Sequence, residues 1–200
     1  ASGGKDSTAL IEYLYNRKKR LNSNFVFECV FIKTEFGKPL PPNILSCFEK
    51  WNIVLKTIDI DIEERSREDK KLGCYWCSTQ RRTELLKYAI DNNFNKIALG
   101  HHRDDILETI LMNAIEKGCL GGMPPRLKYE KYPIELIRPL CYVPQDLIIE
   151  RAKEQDYSGF TCTCNFQDNS TRKIAREKLK VLSDNDEKIK ERLFNAFVKK

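Results

Sequence analysis

Apolar positions recur along this chain at two alternating periods. From residue 7 to 21, Leu10, Tyr13, Leu14 and Leu21 share one face of a helix. The run from Asn24 to Lys33 (NFVFECVFIK) is continuously apolar and β-branched, as in a strand covered on both sides. Pro39, Pro41 and Pro42 interrupt the chain before a short helix over Ile44 to Trp51, and Ile53 to Ile58 (IVLKTI) is predicted as a second strand. A charged stretch from Asp61 to Lys71, expected to be mobile, precedes a helix from about Thr79 to Asn92 that places Leu85, Leu86, Ala89 and Ile90 together. Lys96 to Gly100 (KIALG) is a further strand, and Ile106, Leu107, Ile110, Leu111, Ala114 and Ile115 mark a third long helix. Gly118 to Pro125 (GCLGGMPP) is a turn-rich loop, Ile134 to Leu140 another strand, and the chain from Gln145 is mostly helical, with a stripe at Ile189, Leu193 and Phe197.

This alternation predicts an α/β fold, a doubly wound parallel sheet with helices on both faces and ligands at the carboxyl ends of the strands. The expected division is an α/β domain over residues 1–143 and a helical C-terminal region over 144–200, packed as one compact unit.

A net charge of +6 with a sequence pI near 8.8 permits a phosphate-rich partner such as RNA without requiring one. The last fifty residues hold 12 Lys and Arg against 8 Asp and Glu, so a face of the C-terminal helices is a candidate RNA contact. No apolar run approaches the ~20 residues that cross a bilayer, and no signal-peptide pattern opens the chain, so no membrane association and a cytoplasmic location are expected. Among the eight cysteines two pairs are closely spaced, Cys74 with Cys77 and Cys162 with Cys164. In a reducing compartment such pairs serve metal binding or redox chemistry more often than disulfides.

Three constellations carry chemistry. Ser2-Gly3-Gly4-Lys5-Asp6-Ser7 opens the first helix, where backbone N–H groups and the positive end of the helix dipole favour an anion. Gly3 and Gly4 allow close backbone approach, Ser2 and Ser7 offer hydroxyls, and Lys5 offers a charge, which is more than a helix cap needs. The Walker pattern GxxxxGK[ST] is absent. A phosphate-cradling loop is expected to follow a strand, yet only Ala1 precedes Ser2, so more chain is expected ahead of it.

The second is Gly100-His101-His102-Arg103-Asp104-Asp105 at a strand-to-helix junction, containing both histidines of the chain. Asp104 and Asp105 are suited to Mg²⁺ on a triphosphate; helix capping is the alternative use of the same carboxylates. The third is Gly73-Cys74-Tyr75-Trp76-Cys77 with Cys162 and Cys164 far along the chain. A four-cysteine structural zinc, a redox CxxC and a cluster held by three cysteines all suit this spacing, and chemistry alone does not separate zinc from iron. Arg81 and Arg82 follow on a helix expected to start just after Cys77, within reach of a phosphate or lying on a solvated face. Cys29, Cys47, Cys119 and Cys141 read as core or loop residues.

SGGKDS, GCYWCSTQRR, KIALGHHRDDILET, GGMPP and IRPL, in this order and over nearly the whole chain, resemble the tRNA 2-thiocytidine synthetase family. SGGKDS alone is shared with a broader superfamily of lysidine synthetases, GMP synthetases and other thiolases; the CxxC ahead of an Arg pair is more specific. The resemblance implies an adenine-nucleotide α-hydrolase-like fold with a pyrophosphate loop, in which ATP with Mg²⁺ adenylates a tRNA base, a cytidine of the anticodon loop, and sulfur then displaces AMP. It implies that Ser2 to Ser7 hold the pyrophosphate end, that Gly100, His101, Asp104 and Asp105 lie beside the nucleotide, and that Lys5, Asp6, Arg81 and Asp105 act in the reaction. It further implies a 4Fe-4S cluster on Cys74, Cys77 and one cysteine of the later pair. That pair departs from the family's CxxC spacing: counting back from Gln167 and Arg172 favours Cys164 over Cys162. The tRNAs served, the sulfur donor (a cysteine desulfurase or sulfide) and pairing into a homodimer are left open.

Overall fold

A computed structural model describes residues 1–21, 23–65, 73–157 and 170–198. In chain order its elements are α1 (Lys5–Leu21), β1 (Cys29–Thr34), α2 (Pro42–Lys50), β2 (Leu55–Ile60), α3 (Cys74–Asp91), β3 (Lys96–Ala98), α4 (Arg103–Lys117), β4 (Arg126–Lys128), β5 (Glu135–Ile137), α5 (Gln145–Glu154), α6 (Ser170–Ser183) and α7 (Glu187–Val198). β1 and β2 pair in parallel from Cys29↔Leu55 to Thr34↔Ile60, β3 and β5 pair in parallel, and β4 adds an antiparallel edge to β5. By hydrogen bonding the described strands form two sheets, and α3 packs against both β1 and β3.

The apolar run around β1 is explained by its two covered faces. Cys29 and Phe31 enter a core with Leu10 and Ile11 of α1, Ile44 and Phe48 of α2, and Ile148 and Ala152 of α5. Ile32 points the other way, joining Ile60 and Ile62, with Trp76 and Cys77 of α3 packed against them. Successive side chains of a strand alternate faces, so such a run needs cover on both sides. A third cluster joins Ile106, Leu107 and Ile110 of α4 to Leu179 of α6 and Phe194 of α7.

Local chemistry sets the helix ends. Pro42 occupies the first turn of α2, where its missing N–H has no partner to lose. α4 starts in a capping box: His102 accepts from the Asp105 N–H, and the Asp105 carboxylate accepts from the His102 N–H. It ends at Gly118 with φ of 63°.

Three expectations shift. α3 starts at Cys74 rather than after Cys77, so the first cysteine pair lies in its opening turn. On α1 the buried set is Ala9, Leu10 and Ile11, while Tyr13 is exposed. On α7 Phe194 is the fully buried residue of the stripe. The expectations for residues 66–71 and for Cys162 and Cys164 lie outside the described residues.

Candidate nucleotide and cysteine site

Ser2-Gly3-Gly4 leads into α1 with Gly3 buried at φ of 78°, a left-handed conformation that favours glycine. Ser2 donates through Oγ to Ser7 Oγ (2.9 Å), which donates to the Gly4 carbonyl (2.9 Å), and Thr8 Oγ1 donates to the same carbonyl (3.1 Å). These bonds hold the turn while the first N–H groups of α1 have no intrahelical acceptor, which is the arrangement an anion completes. Lys5 Nζ lies 2.8 Å from Asp6 Oδ1.

Gly100 brings the second constellation onto the loop. A Cβ there would lie 2.7 Å from the Asp6 carbonyl oxygen and 3.0 Å from the Ser7 nitrogen, so only glycine allows the end of β3 this close to α1. The buried His102 ring bridges the two parts, with Nε2 3.7 Å from Asp6 Oδ1 and 3.4 Å from Asp105 Oδ2.

The two adjacent aspartates separate. Asp104 is buried, accepts from the Gln145 N–H (3.0 Å) and pairs with Lys190 Nζ (3.1 Å), which ties α4 to the starts of α5 and α7. Burial pushes its pKa up, but the Gln145 N–H and Lys190 outweigh that and hold it below its ordinary value. Asp105 faces His102 and, at 3.7 Å, Arg172 Nη2. The sequence suggested one cation between these carboxylates; the structure engages Asp104 in packing and leaves Asp105 on the loop side.

His101 accepts from Arg138 Nε at Nδ1 (3.3 Å), which places its proton on Nε2. Burial lowers its pKa from 6.5 to about 4; Asp105 opposes the shift, and Arg138, Arg172 and Arg82 add to it. Arg138 is buried and also donates to the Pro124 carbonyl (2.5 Å), so the Gly-Met-Pro-Pro loop buttresses this guanidinium. Arg81 of α3 acts electrostatically on the Ala1 nitrogen, and Arg82 on His101 and Arg138.

Arg138, Glu108, Arg172 and Arg176 were given no site role from sequence. Glu108 is 1% exposed and takes Arg176 Nε at 2.7 Å. The available signal was a charge inside an apolar pattern: Arg138 within Ile137 to Leu140 and Glu108 on the apolar side of α4.

At the other end of the site, Cys77 packs against the carboxyl ends of β1 and β2, and the Cys77 N–H donates to the Gly73 carbonyl (3.0 Å). Among the described residues no three His, Cys, Asp or Glu side chains converge on one metal position. Burial pushes the Cys29, Cys47 and Cys141 thiols up, so they remain protonated core groups.

Comparison with known proteins places this geometry. Residues 1–182 match the family model of the PP-loop domain. The tRNA-cytidine(32) 2-sulfurtransferase of Polynucleobacter necessarius is 37% identical over 90% of this chain and 61% of its own length. The enzyme of the same name from Legionella pneumophila strain Corby is 33% identical over 98% of this chain and 70% of its own length. The chain thus spans between about three fifths and 70% of these two relatives. Among solved structures, the U34-tRNA thiolase NcsA from Methanococcus maripaludis, determined with its 4Fe-4S cluster, superposes with a TM-score of 0.75 at 21% identity, covering 98% of this chain and 70% of that one. With a PP-loop model matched over nearly its whole length and a sulfurtransferase relative covered over more than two thirds, this chain belongs to the PP-loop family and, within it, to the tRNA-cytidine(32) 2-sulfurtransferases.

Proposed function

We propose that the chain catalyses ATP-dependent thiolation of a tRNA cytidine. The supporting observation is the seating of Gly100 on the first turn of α1, which joins the Ser2 to Ser7 loop and the His101 to Asp105 segment into one nucleotide site. In this reading the loop amides, Lys5 and the hydroxyls of Ser2 and Ser7 hold the pyrophosphate end of ATP, and Asp6 and Asp105 orient Mg²⁺ on the phosphates. Asp104 acts in packing.

The carbonyl oxygen of the base attacks the α-phosphorus and pyrophosphate leaves, its charge met by the loop. Hydrosulfide-level sulfur then adds to the activated carbon, and the C–O bond breaks to release AMP. No electrons are exchanged in this sequence. Arg81 and Arg82 stabilise the adenylate phosphate from α3.

Cys74 and Cys77, with Cys164 or Cys162, would hold a 4Fe-4S cluster; an all-thiolate donor set suits that group, and bound, it delivers sulfur to the activated base. Tyr75, between the two cysteines of α3, is 85% exposed and offers a stacking surface for a splayed base. α5 packs on α1, and both α6 and α7 pack on α4, which supports reading the helical region 144–200 as part of the same unit as the α/β domain. No helix among the described residues is long and apolar enough to cross a membrane.

Mass spectrometry of tRNA nucleosides from a strain lacking the gene tests the reading. Loss of 2-thiocytidine, restored by the wild-type gene but not by Asp6→Ala, is expected. Unchanged 2-thiocytidine, or loss of a thiouridine or lysidine instead, contradicts it.

A further inference from the structure

Arg172 is held beside the loop by carboxylates that have other partners. Glu108 receives two bonds from Arg176, Nε to Oε1 at 2.7 Å and Nη2 to Oε2 at 3.3 Å, enough to compensate a buried charge. Arg172, one helical turn earlier on α6, reaches the same acid only at 3.5 Å and Asp105 only at 3.7 Å. Asp105 already accepts from the His102 N–H at 3.1 Å. More than a third of the Arg172 side chain is open to solvent, at 37%. The guanidinium therefore stands close to two acids without a short bond to either.

Its surroundings favour an anion. Arg82, Arg138 and Arg172 all act on His101, and Asp105 is the carboxylate that opposes them there. Together with Lys5 and Arg176, these cations outnumber Asp6, Asp105 and Glu108, leaving an excess of positive charge that a magnesium triphosphate, itself a net anion, would neutralise. Position selects the phosphate. Arg172 is separated from Asp6 by Asp105 and then His102, two groups away from the loop that takes the pyrophosphate end. Arg138 on the far side is buried, where an RNA backbone does not reach.

We infer that Arg172 is a nucleotide ligand: when Mg–ATP binds, its guanidinium leaves Asp105 for the α-phosphate, while Arg176 keeps Glu108 and holds α6 in place. The inference rests on the nucleotide reading above and adds the residue that recognises the phosphate at which adenylation occurs. Since α6 directly follows residues 158–169, which contain Cys162 and Cys164, Arg172 also links the nucleotide to the chain segment of the second cysteine pair.

Calorimetric titration of the full chain tests this, using α,β-methylene-ATP with Mg²⁺, AMP, and inorganic pyrophosphate as separate probes. Arg172→Gln is expected to weaken α,β-methylene-ATP and AMP about tenfold and to leave pyrophosphate within about twofold. Arg172→Lys, which keeps the charge but loses the fork, is expected to fall between wild type and Arg172→Gln. If Arg172→Gln does not fold, Arg172→Lys decides: selective weakening of AMP over pyrophosphate supports the inference, and equal affinities overturn it. Unchanged AMP and α,β-methylene-ATP affinity in folded Arg172→Gln also overturns it, as does loss of tRNA binding with nucleotide binding intact. Failure of the wild type to bind any probe would instead refute the nucleotide reading itself.

Discussion

Two buried glutamates, each met by arginine, do different work in this molecule. Glu12 of α1 is closed: Arg151 of α5 donates to Oε1 at 3.0 and 2.5 Å, and the fully buried Tyr157 hydroxyl donates to Oε2 at 2.8 Å. Burial, with the Glu12 carboxylate next to it, pushes the Tyr157 pKa far up, so the phenol stays a donor. Glu108 of α4 is matched by Arg176, but a second arginine is left over at longer range beside the nucleotide loop. A buried charge needs compensation to be tolerated, and the Glu12 group supplies it with every partner short. Where a cation exceeds that need and is open to solvent, as Arg172 is, its energy is available to a ligand.

The largest effect should come from opening the closed group. Glu12→Ala leaves the buried Tyr157 hydroxyl without its acceptor and Arg151 with Glu154 alone, and should cost about 3 kcal/mol in urea unfolding. A cost under about 1 kcal/mol would break the contrast. Gly100→Ala forces a Cβ onto the Asp6 carbonyl and should cost about 2 kcal/mol by the same measurement, with Mg–ATP affinity falling more than about tenfold. Removing the open arginine should be nearly silent for folding: Arg172→Ala should shift stability by less than about 0.5 kcal/mol, because Glu108 keeps Arg176 and Asp105 keeps the His102 N–H.

The smallest effect is a pH slope. His101 binds its proton with a pKa of about 4 when folded against 6.5 ordinarily, so between these values the unfolded chain carries more protons. Stability should therefore rise with pH across that window and be lost as pH falls through it. His101→Gln should flatten this part of the curve, and an unchanged slope would show that other groups produce it.

Much of the fold could be read in the sequence because β1 and α4 bury continuous or regularly spaced apolar residues, whose periods are local. The misphased face of α1 shows the limit: Tyr13 and Ile11 both fit a helical stripe, and only the position of α5 decides that Ile11 goes inside. The loop and the His101 to Asp105 segment were legible as contiguous motifs. Which of two adjacent aspartates faces the loop was not, because Lys190 and the Gln145 N–H, which engage Asp104, lie far along the chain. The start of α3 at Cys74 was missed for a related reason: Gly73 precedes it without a side-chain cap to announce it.

The central claim is that ATP activates the base carbonyl by adenylation. Protein prepared anaerobically with its cluster, given ATP, a sulfur source and tRNA carrying 18O at the target cytidine carbonyl, tests it through mass analysis of the nucleotide product. One 18O in the phosphate of AMP for each sulfur incorporated is the predicted result. Unlabelled AMP, or ADP and inorganic phosphate in its place, would contradict the account.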